Sequence, residues 1–465
     1  MNLPTRVLLT ALLIVAFAAA GAIVIGYRSG LFAGQSVLEV ATTGDVRDLF
    51  SPHGPPDAFV ADLALRRLES SFYKAIEPQT PLAGEVSALR SFLGSKKIGN
   101  VVLPGETASG DLSQDGQRAA EVLSYAQEHY GASGRDDLTD AALRGIMNSV
   151  HDPYTVYLSP REIRGLNESL SGGNFGGIGV YIVQLKDGRI VVQPIEQMPA
   201  ARAGMKGGEV VDTVDGAAVR GLPIDRVEQM IRGAAGSTVH IRAHAYNAPH
   251  TERLYDIVRE IIHVPTVRAK MENGIDYIRL YDFGTTSGDE VRKALLEGKA
   301  NGARAYILDL RDNGGGLLDV AVQVSSLFIP QGTIVSTIRR DGSRSTDSAI
   351  GDAIGGLHPV VILVNKYTAS ASEITSGALQ DYHLATLVGT RTFGKGVVQS
   401  IFPLPDQGAL KITTARYLTP AGRDIQHHGI EPDIVVNQDP NPSIIDTPAD
   451  KQLAAAKAHL RTLLR

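Results

Sequence analysis

Two segments carry the residue types of a hydrolase that works without histidine. Ser370 lies in the run Tyr367-Thr-Ala-Ser-Ala-Ser-Glu-Ile374, and Lys395 in Thr392-Phe-Gly-Lys-Gly-Val-Val-Gln399. A serine among small residues at a helix start can stand exposed as a nucleophile, and a lysine on a separate segment can take its proton. The lysine must be neutral to do so. At an ordinary pKa of about 10.4 only about one lysine in a few thousand is neutral at pH 7. A lysine base therefore needs desolvation or a nearby positive charge, and a shift of roughly three units corresponds to about 4 kcal/mol. Gly394 and Gly396 permit a tight backbone approach. Phe393, Val397 and Val398 supply an apolar wall, and the amide oxygen of Gln399 can accept a hydrogen bond from the amine. Each piece also has a plainer reading. A Gly-Lys-Gly run can be a solvated loop, Ser370 can be a helix N-cap, and Ser372 competes with it as nucleophile.

A third segment, Leu308-Asp-Leu-Arg-Asp-Asn-Gly-Gly-Gly-Leu-Leu318, reads as a strand that ends in three glycines before a helix. Such a turn presents backbone N–H groups to an anion. With the N–H of Ala371 it can form an oxyanion hole, Gly315 or Gly316 being the second donor. A close-packed turn is the alternative. The absence of a Gly-Lys-Ser/Thr after the glycines argues against a nucleotide-binding loop. Asp381 and His383 lie too close together for a histidine-based hydrolase, and His427-His428 has no third ligand nearby. No metal or organic cofactor is implied.

The elements that must position these segments follow from pattern. The 465 residues suffice for two or three domains. A net charge of −5 without a basic run argues against nucleic acid as the main partner. With no cysteine, disulfides, thiolate zinc sites and a cysteine nucleophile are excluded. Residues 7–27 form an apolar run that as a helix would be about 31 Å long, enough to span a bilayer. We read it as an uncleaved anchor, with a signal peptide cut near Ala20 or Ala22 as the alternative. Either places residues 29–465 outside the cytoplasm. A Pro-rich linker at 51–56 precedes helical patterns at 58–73, 84–93, 118–130 and 139–148, the last with Thr139 or Asp140 as N-cap. Residues 94–115 read as loop. From 172 short β-branched runs alternate with turns around one helix at 224–232, which suggests a small β-rich domain. From about 264 the pattern is α/β. Strands lie at 277–280, 305–310, 360–364 and 385–388, with helices at 289–298, 317–328 and 370–380 and a final helix at 450–465.

In their order these motifs resemble the carboxyl-terminal processing peptidases, tail-specific serine proteases with a PDZ domain. The resemblance rests on Met147-Asn-Ser-Val-His-Asp-Pro-Tyr-Thr-Val-Tyr-Leu158, Phe175-Gly-Gly-Ile-Gly-Val180, Pro199-Ala-Ala-Arg-Ala-Gly-Met205 and the three segments above. Thr414-Ala-Arg-Tyr-Leu-Thr-Pro-Ala-Gly-Arg423 and Gly429-Ile-Glu-Pro-Asp433 complete it. The Ser-to-Lys spacing of 25 and Lys-to-Gln spacing of 4 match the family's triad and select Ser370 over Ser372. The resemblance implies Ser370 as nucleophile, Lys395 as general base and Gln399 as its orienter. Gly315, Gly316 and Ala371 map to the oxyanion region, and Glu373 and Thr392 are supporting residues. Gly314 stands where many members carry proline.

The implied fold class is α/β. It divides into an anchor or signal segment (1–28), a poorly matched N-terminal region (29–115), a helical part of the protease (116–170) and an inserted PDZ domain (171–262). A crotonase-like core (263–440) and a C-terminal helix (441–465) follow. In the PDZ domain, Gly177, Ile178, Gly179 and Val180 would capture the C-terminal carboxylate of a substrate whose tail adds as a β-strand. Arg232 resembles an arginine that senses the tail, and the domain is expected to move between blocking and open positions. The function implied is an ATP-independent endopeptidase that cuts extracytoplasmic proteins near apolar C-termini. Its partners would be such substrates, an activating adaptor, the membrane through the N-terminal helix, and a second copy in a homo-oligomer. The alternative is a non-catalytic PDZ scaffold, which the intact Ser370, Lys395 and Gln399 disfavour.

Overall fold

The computed structural model describes residues 58–464 except 106, 172–174, 186, 263–264, 357 and 439–443. The apolar run at 7–27 and the linker at 51–56 lie outside the described residues. Among the described residues no helix is long and apolar enough to cross a membrane.

Helices α1 (Phe59–Ser71), α2 (Gln79–Ser95), α3 (Leu112–Tyr130) and α4 (Arg135–Asn148) come first. In α1 the buried Val60, Ala61, Ala64, Leu65 and Leu68 repeat at helical spacing. Helix α3 starts earlier than its apolar pattern, at the N-cap Asp111, whose carboxylate accepts from the Gln114 N–H at 2.9 Å. The boundary drawn between 115 and 116 therefore falls inside one helix. Helix α4 also starts upstream of the expected cap. Asp136 and Asp137 occupy its first turn, where negative charge is favourable. Thr139 is instead buried mid-helix, where its hydroxyl donates to the Arg135 carbonyl and accepts from Gln127 Nε2 at 2.9 Å. The four helices share one core with Tyr157, Leu410 and Ile412, so they are packed onto the antiparallel sheet described below.

After β1 (Val156–Leu158) and α5 (Pro160–Leu170) comes the β-rich insert. Its strands are β2 (Phe175–Gly177), β3 (Val180–Gln184), β4 (Ile190–Pro194), β5 (Glu209–Val214), β6 (Ala217–Ala218), β7 (Thr238–Ala245), β8 (Ala248–Val258) and β9 (Glu260–Ile262), with helices α6 (Pro199–Arg202) and α7 (Ile224–Ile231). The order β3-β4-β5-β7-β8 makes β3 an edge, and β2 pairs with β9 where the insert joins the rest. Ile190, Val211, Val227, Ile231, Val239 and Ile241 form a core of its own.

The α/β part is built on a six-stranded sheet of order β10-β11-β12-β15-β16-β19, comprising β10 (Val267–Glu272), β11 (Ile275–Leu280), β12 (Ala305–Asp309), β15 (Val360–Val364), β16 (Ala385–Gly389) and β19 (Ile434–Val435). Only β10 is antiparallel to its neighbour. Alternation divides the strands between two faces. Ile278, Leu308 and Ile362 pack under α8 (Ser287–Ala300), α9 (Leu318–Ser326) and α10 (Ala371–Asp381). Tyr277, Ile307 and Val361 pack on α11 (Lys451–Leu463). A second, antiparallel sheet was not foreseen. It joins β1, β13 (Thr333–Arg339), β14 (Arg344–Ser348), β17 (Val397–Pro403) and β18 (Ala409–Leu418). The parallel strands β12 and β15 are adjacent and in register at Asp309 and Leu363. Their carboxyl ends therefore open side by side into the glycine loop and the Ser370 turn, the usual place for a site in a parallel sheet.

Candidate active site

Ser370 joins the turn after β15 to α10 with φ 57° and ψ −119°. A non-glycine residue in that region costs about 1–3 kcal/mol, so its surroundings must hold it there. Thr368 Oγ1 donates to the Leu310 carbonyl at 2.8 Å, and the Ala369 N–H donates to the Asn313 carbonyl at 3.0 Å. Asn365 and Asp312 bond to each other twice. The glycine loop and the serine turn are thus stitched together. A sharp strand-to-helix turn of this kind lifts a nucleophile's oxygen out of the backbone. Ser372 is buried, and its hydroxyl donates to the Asn313 carbonyl at 3.0 Å. Of the two serines, only Ser370 lines the adjoining cavity.

Glu373 connects this turn to the lysine segment. Its Oε1 accepts from Thr392 Oγ1 at 2.5 Å and the Gly394 N–H at 2.7 Å. Its Oε2 accepts from the Lys395 and Ser370 N–H groups, both at 2.9 Å. Thr392 Oγ1 itself accepts from the Ile430 N–H, so its own proton points to Glu373. Four donors leave no room for a carboxyl proton, and the group is a carboxylate. Burial pushes its pKa up, and these donors offset only part of that, so it stays above the ordinary carboxylate value.

Lys395 is half-buried and shares the cavity with Ser370. Burial, then the charge of Lys411, lower its pKa to about 8, against the opposing pull of Asp152 and Glu373. The Tyr154 ring lies 4.7 Å from Nζ. Gly394 has φ 86°, and a Cβ there would stand 2.7 Å from the Gly429 N, so the close approach needs glycine. Val397 and Val398 form part of the wall as expected. Phe393 does not: it is 54% exposed and is absent from the cavity lining.

The cavity has a volume of about 240 Å³ and brings together Ser370, Lys395, Gln399, Gly316, Ala371 and Lys411. Gly315 and Gly316 turn out to differ. The Gly315 N–H donates to Asn313 Oδ1 at 2.9 Å and is spent. Gly315 serves instead by lacking a Cβ, which would stand 2.8 Å from the Ser370 Cβ and the Ala371 N. The N–H groups of Gly316 and Ala371 have no acceptor among the described residues. This arrangement brings a serine hydroxyl, a half-buried amine and two N–H groups without an acceptor among the described residues into one partly closed space.

Residues 274–436 match peptidase family S41. A carboxy-terminal-processing protease of Bartonella bacilliformis is 37% identical over 328 residues, 69% of this chain and 75% of that protein. The chain belongs to peptidase family S41. It is a serine-type hydrolase of the carboxyl-terminal processing kind. A carboxyl-terminal-processing protease of Picosynechococcus is 39% identical over 296 residues, 62% of this chain and 70% of that protein. The structure of a photosystem II D1 C-terminal processing protease aligns over 83% of this chain and 94% of its own, with 28% identity and a TM-score of 0.46.

Three further residues of this S41 chain belong to the site without having been singled out. Tyr154 packs against Lys395, Lys411 lines the cavity, and the Tyr417 hydroxyl donates to the Ser370 carbonyl at 3.2 Å. Lys411 and Tyr417 lie on either side of the register shift in β18 opposite Val398/Gln399, and both line the cavity. Gln399 is in the cavity, but its Nε2 donates to the Val397 carbonyl at 3.4 Å, next to a β-bulge at Val398/Gln399. The expected bond from Gln399 to the lysine amine is not formed in this arrangement.

The residues assigned to tail binding lie in the insert. Gly177 ends β2, Val180 starts β3, Ile178 is buried, and Gly179 has φ 70°. Arg232 follows α7, and the next residue's N–H donates to the Gly176 carbonyl at 3.0 Å. Its guanidinium pairs with Glu228 of α7 and with Glu168 of α5.

Proposed function

We propose that this S41 peptidase is an ATP-independent endopeptidase with Ser370 and Lys395 as its catalytic dyad. The observation that carries the reading is a lysine with pKa lowered to about 8 in the same cavity as a strained, half-buried serine. Ser370 Oγ attacks the scissile carbonyl and its proton passes to Lys395 Nζ. The N–H groups of Gly316 and Ala371 receive the developing oxyanion. The lysine ammonium then protonates the departing amine, and water, deprotonated by the lysine, releases the acyl group. Gln399 orients the amine once its side chain swings from Val397.

Residues 263–440 are read as a crotonase-like core and 171–262 as a PDZ domain. The free edge of β3 supports this, because a substrate tail can add there as a strand. Tyr181 and Val183 stand exposed along it. The N–H groups of residues 177–180 would take the tail's carboxylate. The apolar run at 7–27 assigns the enzyme to the outer side of a membrane.

The test uses the full chain with Ser370→Ala and Lys395→Ala as controls. The substrate is an unstructured protein ending in an apolar tail, with amidated and acidic-tail versions beside it, and the products are read by mass spectrometry. Cleavage that needs both residues and the free apolar tail is expected. Cleavage by either alanine variant at the parent's rate would remove the dyad, and tail-independent cleavage would remove the PDZ reading. Tail binding without cleavage by any version would favour the scaffold.

A further inference from the structure

The cavity holds a second lysine that the mechanism above does not use. Lys411 lies mid-strand in β18, opposite Ile401 of β17 on one side and Val156 of β1 on the other. It is half-buried and lines the cavity with Ser370 and Lys395. Among the described residues no carboxylate pairs with its ammonium. A cation held in a partly apolar space without a counterion is costly, so its presence calls for a physical account.

The charged and titratable groups around the two lysines come from three elements. Asp152, in the loop ahead of β1, accepts at Oδ2 from the hydroxyls of Thr155 at 2.7 Å and Thr413 at 2.6 Å. Glu373, on α10, is taken up by its four donors. The Tyr154 ring lies against Lys395, and Tyr417 of β18 donates to the Ser370 carbonyl. Neither carboxylate forms an ion pair with either lysine. Burial weighs on both amines, and Lys395 also feels the charge of Lys411. A lysine beside a second cation is one recognised form of activated amine.

We propose that Lys411 is a positioning residue for the hydrolysis, a cation in the active-site cavity that disfavours a second positive charge on Lys395 and so raises the share of it present as the free amine. The inference rests on Lys395 being the base. It places part of the base's activation on β18, outside the segments that hold Ser370 and Lys395.

The experiment is kcat/KM against pH from 6 to 10 for the full chain, Lys411→Met and Lys411→Arg, with Ser370→Ala and Lys395→Met as controls. Removing the positive neighbour lets Lys395 hold its proton to higher pH. The acid limb of Lys411→Met should move up by roughly 0.5 to 1 unit, a loss of about three- to tenfold at pH 7 that closes towards pH 10. Lys411→Arg keeps the charge and should keep the parent's limb. If Lys411→Met folds poorly by thermal melting, Lys411→Gln, and labelling of Ser370 by a fluorophosphonate across the same pH range, read the same limb. A limb that stays in place overturns the proposal, as does a pH-independent loss carried by KM, which would make Lys411 a substrate contact. Full activity in Ser370→Ala or Lys395→Met would instead overturn the dyad, whatever Lys411 does.

Discussion

As the base proposed above, Lys395 would serve the reaction at the expense of the fold. Its pKa is about 8 in the folded chain, against an ordinary 10.5. The folded state therefore disfavours the charged form. Below about pH 8 both folded and unfolded chains carry the proton, and the penalty is felt in full. Between about 8 and 10.5 the folded chain sheds it first, and the penalty fades as pH rises. Lys395→Met should abolish cleavage and yet raise stability at pH 7 by about 1–2 kcal/mol, after allowance for the solvent that still reaches the amine. Urea unfolding at pH 7 and pH 10 checks this, and the gain should shrink at the higher pH. A variant less stable than the parent at pH 7 would contradict the desolvation account. The types Ser370 and Lys395 were legible in the sequence because glycines and small residues flank them. Lys411 and Tyr154 were not, because their place depends on how β18 and the loop before β1 register against segments far along the chain.

At the scale of the element, the site depends on two turns at the ends of adjacent parallel strands. Gly315 has φ 100°, and an added Cβ would stand 2.8 Å from the Ala369 carbonyl oxygen, the Ala371 N and the Ser370 Cβ. Gly315→Ala should push the serine turn off its N–H donors and lower kcat/KM by about 100-fold or more. It should also lower the melting temperature, since backbone on both sides must shift. Both are read from one purified variant, and parent-like activity would mean that the loop yields without disturbing Ser370. The strands that frame these turns were readable because β12 and β15 are buried throughout and appear as unbroken apolar runs. The second sheet was hidden for the opposite reason. β14 alternates between exposed and half-buried, and β18 carries Lys411, Thr413, Thr414 and Arg416 among its apolar residues. Its polar residues serve the cavity and the neighbouring loops, so the alternation that marks an ordinary strand is blurred.

Across the whole molecule, the helix α11 is tied to the start of the glycine loop. Arg311 lies two residues beyond the end of β12 and is 2% exposed. It donates to Asp309 at 2.6 and 2.9 Å and to Asp450 at 2.8 and 2.9 Å. Asp450 is also the N-cap of α11, accepting from the Leu453 N–H at 3.0 Å. The sequence shows the amphipathic helix beginning at 450. It does not show the pairing, because Arg311 and Asp450 are 139 residues apart and meet only once α11 crosses the back of the sheet. Asp450→Ala leaves a buried guanidinium short of one partner and removes a helix cap. It should lower stability by about 3–5 kcal/mol in urea unfolding at pH 7. Burial pushes the Asp450 carboxyl up, but the Arg311 bonds and N–H donors outweigh it, and its pKa ends below the ordinary 3.8. A lowered carboxyl pKa stabilises the fold above about pH 4, and that contribution is lost as pH falls through the folded value. The gap between parent and Asp450→Ala should therefore be full at pH 7 and narrow below pH 4. A gap that does not change with pH would assign the loss to the helix cap and packing, and not to the charge on Asp450.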